Sequence, residues 1–571
     1  MSAVSALFRT ASKRSRFYAT LELVPAAVLR EIAAQLACGD VLRLGLTSRL
    51  MWDRCLGYLY EDVDLKTNRH CKMLAALARR PKVLRSIKRL AVRPNNVEWT
   101  LPEDEMNEGT FAELIHSRVA PNLASLHTFI WDGLQKPPCD ELWLQLRRSC
   151  PRLTRIGTTI GAVEQLENGS HLFDFRGLHS FSLVVKCASL AWLTDGRPKI
   201  ENLPRRLWEM LIENSPDLAQ LTIGGAAPCP RPFDVRPIAY GRWPRLRSLT
   251  LGDLIMQHEP TKKDATIPPS LRAFLLAHPR LRAVNFQHIA GVGFPRTLAS
   301  LPDTALPHIR TFSGPLLYVK TLPQPWRLRH LTLNGLQHSQ SAFPKLFAVL
   351  RALTALESLS ILFDLSLYTN VTRSLNPQDH TSVFCGLLRA CPRLVHLDLL
   401  CFTQPTFGVC EFSAALILAP APHLRSFVLT KVQAPMDDDM GYTAMQLAHT
   451  HPHLTNFTLR YTQDSWLTPT GARPKYVGTY VVRGNPGEGQ TSTRTIEGHE
   501  RGGGAKTFGF GGQYSRRWWA PISSDMKTPP SRRPSLLRKK SSASVAYFSA
   551  RAPAHQPDIF PNTQSRIDRE K

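Results

Sequence analysis

Apolar residues recur through the middle of the chain in one short frame, Leu-x-x-Leu-x-Leu, usually with a proline two residues upstream. The frame reads "PDLAQLTI" from 216, "PRLRSLTL" from 244, "PRLRAVNF" from 279, "PRLVHLDL" from 392, "PHLRSFVL" from 422 and "PHLTNFTL" from 452. Looser copies include "SIKRLAV" from 86, "PNLASLHTF" from 121, "PRLTRIGT" from 151 and "ALESLSI" from 355. The last two apolar positions alternate, as a short strand with one face in a core requires. The first apolar position closes the bend into that strand. Upstream of many copies lies a helical pattern: "ELWLQLRRSC" before Pro151, "RRLWEMLIENS" before Pro216, "LRAFLLAH" before Pro279 and "VFCGLLRAC" before Pro392. Proline then stops each helix, because the residue before it is pushed out of the helical region. Helix, stop, bend and strand make one coil of a solenoid.

This pattern resembles the leucine-rich-repeat family over roughly residues 80–465. The first-position anchors run from Ile87 through Leu123, Leu153 and Leu178 to Leu454, about 31 residues apart on average. Family repeats are about 20–29 residues long, so these coils are long and irregular. The family's asparagine or cysteine three places past the last strand leucine is also mostly missing. Leu254, Ile289, Leu336, Phe402 and Val432 stand there, and only the first copy offers Asn95. The resemblance implies an α/β repeat with uneven curvature and no regular asparagine ladder.

Before the repeats, "LVPAAVLREIAAQLACGDVLRLGLTSRLMWDRCLGYLYEDVDL" spans 23–65 and reads as three short helices. Leu29, Ile32 and Leu36 fall at helical spacing after Pro25, which suits a helix start. Gly39 is expected to end that helix, with Asp40 capping a second that carries Val41, Leu42, Leu44 and Leu46. A third begins near Ser48 and presents Trp52, Leu56 and Leu59. Three helices in some forty residues bury their apolar faces poorly, so the module packs on the repeats or binds a partner.

The segment resembles an F-box, whose pattern is Leu-Pro, a double leucine, an isoleucine, a leucine and then Asp-Leu-Leu. The matching residues are Pro25, Val28, Leu29, Ile32, Leu36, Asp40, Val41 and Leu42. "LTSR" at 46–49 and "LYEDVDL" at 59–65 are similar to the endings of fungal F-box segments. Val24 and Ala27 depart from the pattern without removing a large apolar contact. The resemblance implies a substrate receptor of an SCF-type, cullin-RING ubiquitin ligase. Its F-box would lay Pro25, Val28, Leu29, Ile32, Leu36, Val41, Leu42 and Leu44 against a Skp-family adaptor, and through it a cullin. The repeats would hold a protein target, with no chemistry or cofactor of the chain's own. The alternatives are a helical cap sealing the solenoid, a non-degradative repeat scaffold, and a nucleic-acid-associated repeat protein driven by charge.

Charge bears on the last of these. The net charge is +26, of which residues 1–20 carry +4, residues 464–571 carry +10, and the long middle keeps +12. The basic ends hold no nucleic-acid-binding module, so they read as solvated tails. Residues 1–20 and 522–571 read as disordered, 21–66 as the F-box, 67–465 as the solenoid, and 466–521 as an extended capping segment. The eleven cysteines are odd in number, without a CxxC pair, which favours reduced thiols in cytoplasm or nucleus. No apolar run approaches the roughly 18 residues of a membrane span.

No catalytic motif stands out: GxSxG, HExxH, a P-loop and a kinase set are all missing. His449, His451 and His453 alternate, as metal ligands on a strand do. Yet His451 and His453 occupy two repeat slots, the position before proline and the one after it. His449 belongs to the preceding helical stretch, so no metal site is expected.

Overall fold

Each copy of the apolar frame forms a strand, and each strand lies parallel to the next copy's strand. The computed structural model describes residues 23–510 except 66–67, 94–107, 162–165, 186–200, 226–232, 256–270, 291–297, 364–378, 402–408, 432–446, 463–473, 484–493 and shorter gaps. Among the described residues, fourteen strands form one parallel ladder, from Asp62–Leu65 to Asn456–Thr462. The helices Glu141–Ser149, Arg205–Ile212, Leu271–Ala277 and Asp379–Ala390 stand where the upstream patterns predict them. The result is an α/β repeat solenoid, and no described helix is long and apolar enough to cross a membrane.

The ladder register follows the apolar frame. Leu359 pairs with Leu397, Leu397 with Phe427, and Phe427 with Phe457, all buried. The anchors Leu218, Leu246, Leu281, Leu328 and Leu394 are fully buried. Burying each such side chain contributes about 1.5–3 kcal/mol, which is what makes the frame repeat. Phenylalanines continue this core between coils: Phe343, Phe363, Phe384 and Phe412 meet edge to face at 5.6–6.1 Å. Phe412 then stacks on Phe427 at 4.5 Å.

The second copy is shifted by three residues from the sequence reading. Phe129 pairs with Leu90 and Ile156, so Leu126, not Leu123, occupies the anchor slot. Leu123 lies in the turn before it, where its carbonyl accepts from the Leu126 N–H at 2.9 Å. Both leucines are fully buried, which is why apolar spacing alone did not separate them.

At Leu254 and Ile289, two of the positions where the asparagine is missing, the backbone supplies its own ladder. Glu201–Asn202, Phe233–Asp234, Leu254–Ile255 and Ile289–Ala290 pair as a second, four-stranded parallel sheet. Peptide groups that side-chain amides would otherwise satisfy are thus met by neighbouring coils.

The first strand, Asp62–Leu65, pairs with Arg89–Val92, so the ladder begins inside the segment read as F-box. At the far end, Asn456–Thr462 pairs antiparallel with Pro474–Arg483. Arg494–Glu500 and Lys506–Phe510 continue that antiparallel meander. It covers the edge that the last parallel strand would otherwise expose. His449, His451, His453 and residues 1–20 and 522–571 lie outside the described residues.

Candidate functional site: the amino-terminal helical module

Three helices precede the ladder: α1 (Ala26–Gln35), α2 (Cys38–Gly45) and α3 (Arg49–Leu59). α1 starts directly after Pro25, whose carbonyl accepts the Leu29 N–H at 3.0 Å. Its end differs from expectation. Leu36 turns to extended geometry and stops the helix, and Gly39 lies inside α2 rather than terminating α1. Asp40 therefore sits in the first turn of α2, where its carboxylate suits the helix dipole and pairs with Arg43 at 2.9 Å. Ser48 caps α3 by accepting the Met51 N–H at 3.1 Å.

The module has a small core of its own, made of Leu29, Ala33, Val41, Met51 and Cys55. Val24, Leu44, Tyr58 and Leu59 pack around it. Arg54 donates to the Val24 carbonyl at 2.8 Å and Tyr58 to the Ala26 carbonyl at 3.1 Å, tying α3 to the start of α1. Gly45 lets α2 approach α3, since a Cβ there would meet Cys55 and Trp52 side chains at 3.4 Å.

This packing divides the residues expected to contact a partner. Leu29 and Val41 are 1% and 4% exposed and face inward, so they hold the helices together and are not surface contacts. Ile32 and Leu44 are half-buried, and Pro25 is exposed. Val28, Leu36 and Leu42 are exposed, at 48%, 37% and 42%. Beside them, Leu23, Leu46 and Leu50 are 75%, 69% and 49% exposed, and none of these three was among the residues expected to make contact. Val28 and Ile32 lie four residues apart on α1, with Leu36 just past its end; Leu42 lies on α2, and Leu46, just past that helix, donates its N–H to the Leu42 carbonyl at 2.9 Å. These side chains leave the module with an open apolar face.

A second cluster carries ligand-type atoms. One atom each from Glu113, His116 and Cys139 lies within 4.8 Å of the others. Burial and the Glu141 carboxylate push the Cys139 thiol up to about 11, so near neutral pH it is protonated and donates to Glu141 at 3.3 Å. Glu113 and Glu141 are both exposed.

An amino-terminal three-helix module with an open apolar face, leading into a parallel repeat solenoid, defines the architecture. No family model matches the chain, and no curated protein does either. Among solved structures, the Rad7 and Elc1 complex in yeast is similar at 11% identity, over 80% of this chain and 89% of that one, with a TM-score of 0.36. The leucine-rich-repeat-containing protein LegL7 from Legionella pneumophila is similar at 12% identity, over 66% of this chain and 83% of that one, with a TM-score of 0.22.

Proposed function

We propose that the chain is the substrate-recognition subunit of an SCF-type, cullin-RING ubiquitin ligase. The helical module docks on a Skp-family adaptor, and through it a cullin, while the solenoid holds a protein target. The observation that carries this reading is the exposed apolar face of the module, on a segment whose spacing resembles an F-box. Val28, Leu36, Leu42, Leu46 and Leu50 project outward from helices held by Leu29, Val41 and Met51. Such a face buries itself in a partner groove, as amphipathic helices do. The chain then acts by proximity, raising the local concentration of target lysines near a charged ubiquitin-conjugating enzyme.

The test is co-purification of the full chain with a Skp-family adaptor. Leu42→Asp combined with Leu46→Asp is expected to abolish it while leaving the far-ultraviolet spectrum and melting temperature unchanged. Both residues are exposed, so the fold is expected to persist, and the melt checks it. Unchanged adaptor binding would sink the assignment. A rise in the half-life of a bound target on depletion separates degradation from a scaffolding role.

A further inference from the structure

Two slots flank every buried anchor of the solenoid, one residue before it and one after. In four successive coils these slots hold seven arginines and one histidine. The residues after the anchors are Arg247, Arg282, Arg310 and Arg329, all exposed. Those before them are Arg245, Arg280, His308 and Arg327, also exposed. Three of these coils place arginine in both slots and one places His308 with Arg310; away from this run the coil of Leu424 has the like pair His423 and Arg425, while Thr154, Ala219 and Val395 stand after the anchors of three others.

The backbone fixes the alignment of these side chains. The Arg247 carbonyl accepts the Arg282 N–H at 2.8 Å, Arg282 accepts from Arg310 at 2.8 Å, and Arg310 accepts from Arg329 at 2.8 Å. Equivalent slots on adjacent strands therefore stand about 4.8 Å apart. Like charges on neighbouring strands destabilise a sheet, so a fourfold stack works against the fold that carries it. The strand positions beside the stack offer no relief. Ser248, Thr250, Ala283, Asn285, Thr311, Ser313, His330 and Thr332 include no carboxylate.

Among the described residues, the carboxylates that pair with the ridge stand at its two ends. Asp217 pairs with Arg245 at 3.3 Å on one side, and Glu357 pairs with Arg329 at 3.3 Å on the other. Between them, no described carboxylate forms an ion pair with Arg247, Arg282 or Arg310.

We infer that this ridge, from Arg245 to Arg329, binds a short acidic segment of a protein partner. The inference rests on reading the solenoid as the target-holding part of the chain. Three strand-to-strand steps span about 14 Å, the reach of about four extended residues. Seven of the eight residues in these slots carry a guanidinium, whose planar fork pairs with carboxylates bidentately. The bounding carboxylates disfavour a polyphosphate chain, which would run on past the ridge and meet Asp217 and Glu357. A peptide with a few acidic residues stops within it.

The test uses the full chain and a fluorescein-labelled octa-aspartate peptide, read by fluorescence anisotropy at two salt concentrations. Saturable binding that weakens with salt is expected, with no binding of octa-asparagine. Arg282→Glu with Arg310→Glu should weaken it about ten-fold or more, since two charge-assisted contacts are reversed. Arg152→Glu with Arg393→Glu, in the pre-anchor slot of distant coils, should leave it unchanged. All four positions are exposed, and thermal melts verify that both variants fold. No saturable peptide binding, an equal loss in both variants, or tighter binding of an oligothymidylate of the same length would overturn the inference. Adaptor co-purification, measured on the same variants, is expected to persist; its outcome bears on the helical module alone, so the two readings fail separately.

Discussion

The backbone N–H of Trp243 donates to Nε2 of His278 at 3.0 Å, joining one coil to the next through a buried imidazole. The other ring nitrogen, Nδ1, donates to the Phe274 carbonyl at 2.6 Å, which fixes the neutral tautomer. His278 is 1% exposed and occupies the slot before proline. In another coil the same slot holds Ser215, whose hydroxyl accepts the Leu178 N–H at 3.3 Å. The slot thus satisfies a backbone donor of the preceding coil.

Burial lowers the pKa of His278, with the Phe274 carbonyl opposing and Arg242 adding to the effect. The unfolded chain takes up this proton as pH falls below about 6.5, while the folded chain resists it. His278 therefore contributes stability above about pH 6.5 that is lost as pH falls toward its depressed folded value. Urea midpoints at pH 8 and pH 5 are expected to differ more for the native chain than for His278→Gln, which keeps an acceptor without titrating. His278→Leu should cost about 1–3 kcal/mol at pH 8, because the Trp243 N–H is left unpaired.

The two classes of leucine in the helical module should separate cleanly. Leu29→Ala is expected to destabilise the module by about 2–4 kcal/mol, since its side chain is 1% exposed. Leu46→Ala, at a position 69% exposed, should change stability by less than about 0.5 kcal/mol. Hydrogen exchange within Ala26–Leu59 measures both. Equal effects would mean that the inward and outward faces are wrongly assigned.

Thiol reactivity should follow burial. Cys150 and Cys391 are each 2% exposed, and burial pushes both thiols up to about 12. Cys38 is exposed. Iodoacetamide at pH 8 is expected to label Cys38 in the folded protein and to reach Cys150 and Cys391 only after unfolding in urea. Peptide mass mapping reads the difference.

Arg93 spans three strands of the ladder's front end. Its guanidinium contacts Asp64 at 3.0 Å and Asp132 at 2.7 Å, with all three side chains under a third exposed. Burial alone would lower the pKa of Arg93, but the two carboxylates outweigh it and raise it. Arg93→Met is expected to cost about 1–3 kcal/mol by removing the cation from two half-buried carboxylates. A thermal melt measures the loss.

Much of the solenoid was legible because a strand has a period of two and a core tolerates few polar groups. "PRLVHLDL" announces Leu394, Leu397 and Leu399 as buried, and all three are fully so. The frame failed where two readings were equally apolar, as with Leu123 and Leu126. Only hydrogen bonding to Leu90 and Ile156 on the neighbouring strands chose between them. The helical module was legible as three helices but not as to their faces. Leu29 and Val28 are adjacent and alike in chemistry, yet one is the centre of the core and the other is half-exposed.

By itself, then, the sequence determined the coil: where strands begin, where proline stops a helix, and which leucines leave water. Those are local consequences of periodicity and backbone geometry. Tertiary structure decided which surfaces remain. Packing of α1 and α2 on α3 turned Leu29 and Val41 inward and left Leu42 and Leu46 outside. Ladder register brought Arg247, Arg282, Arg310 and Arg329, far apart in sequence, into one column. Apolar residues are interchangeable to a helix and arginines to a bend, so only their neighbours in space give them different roles.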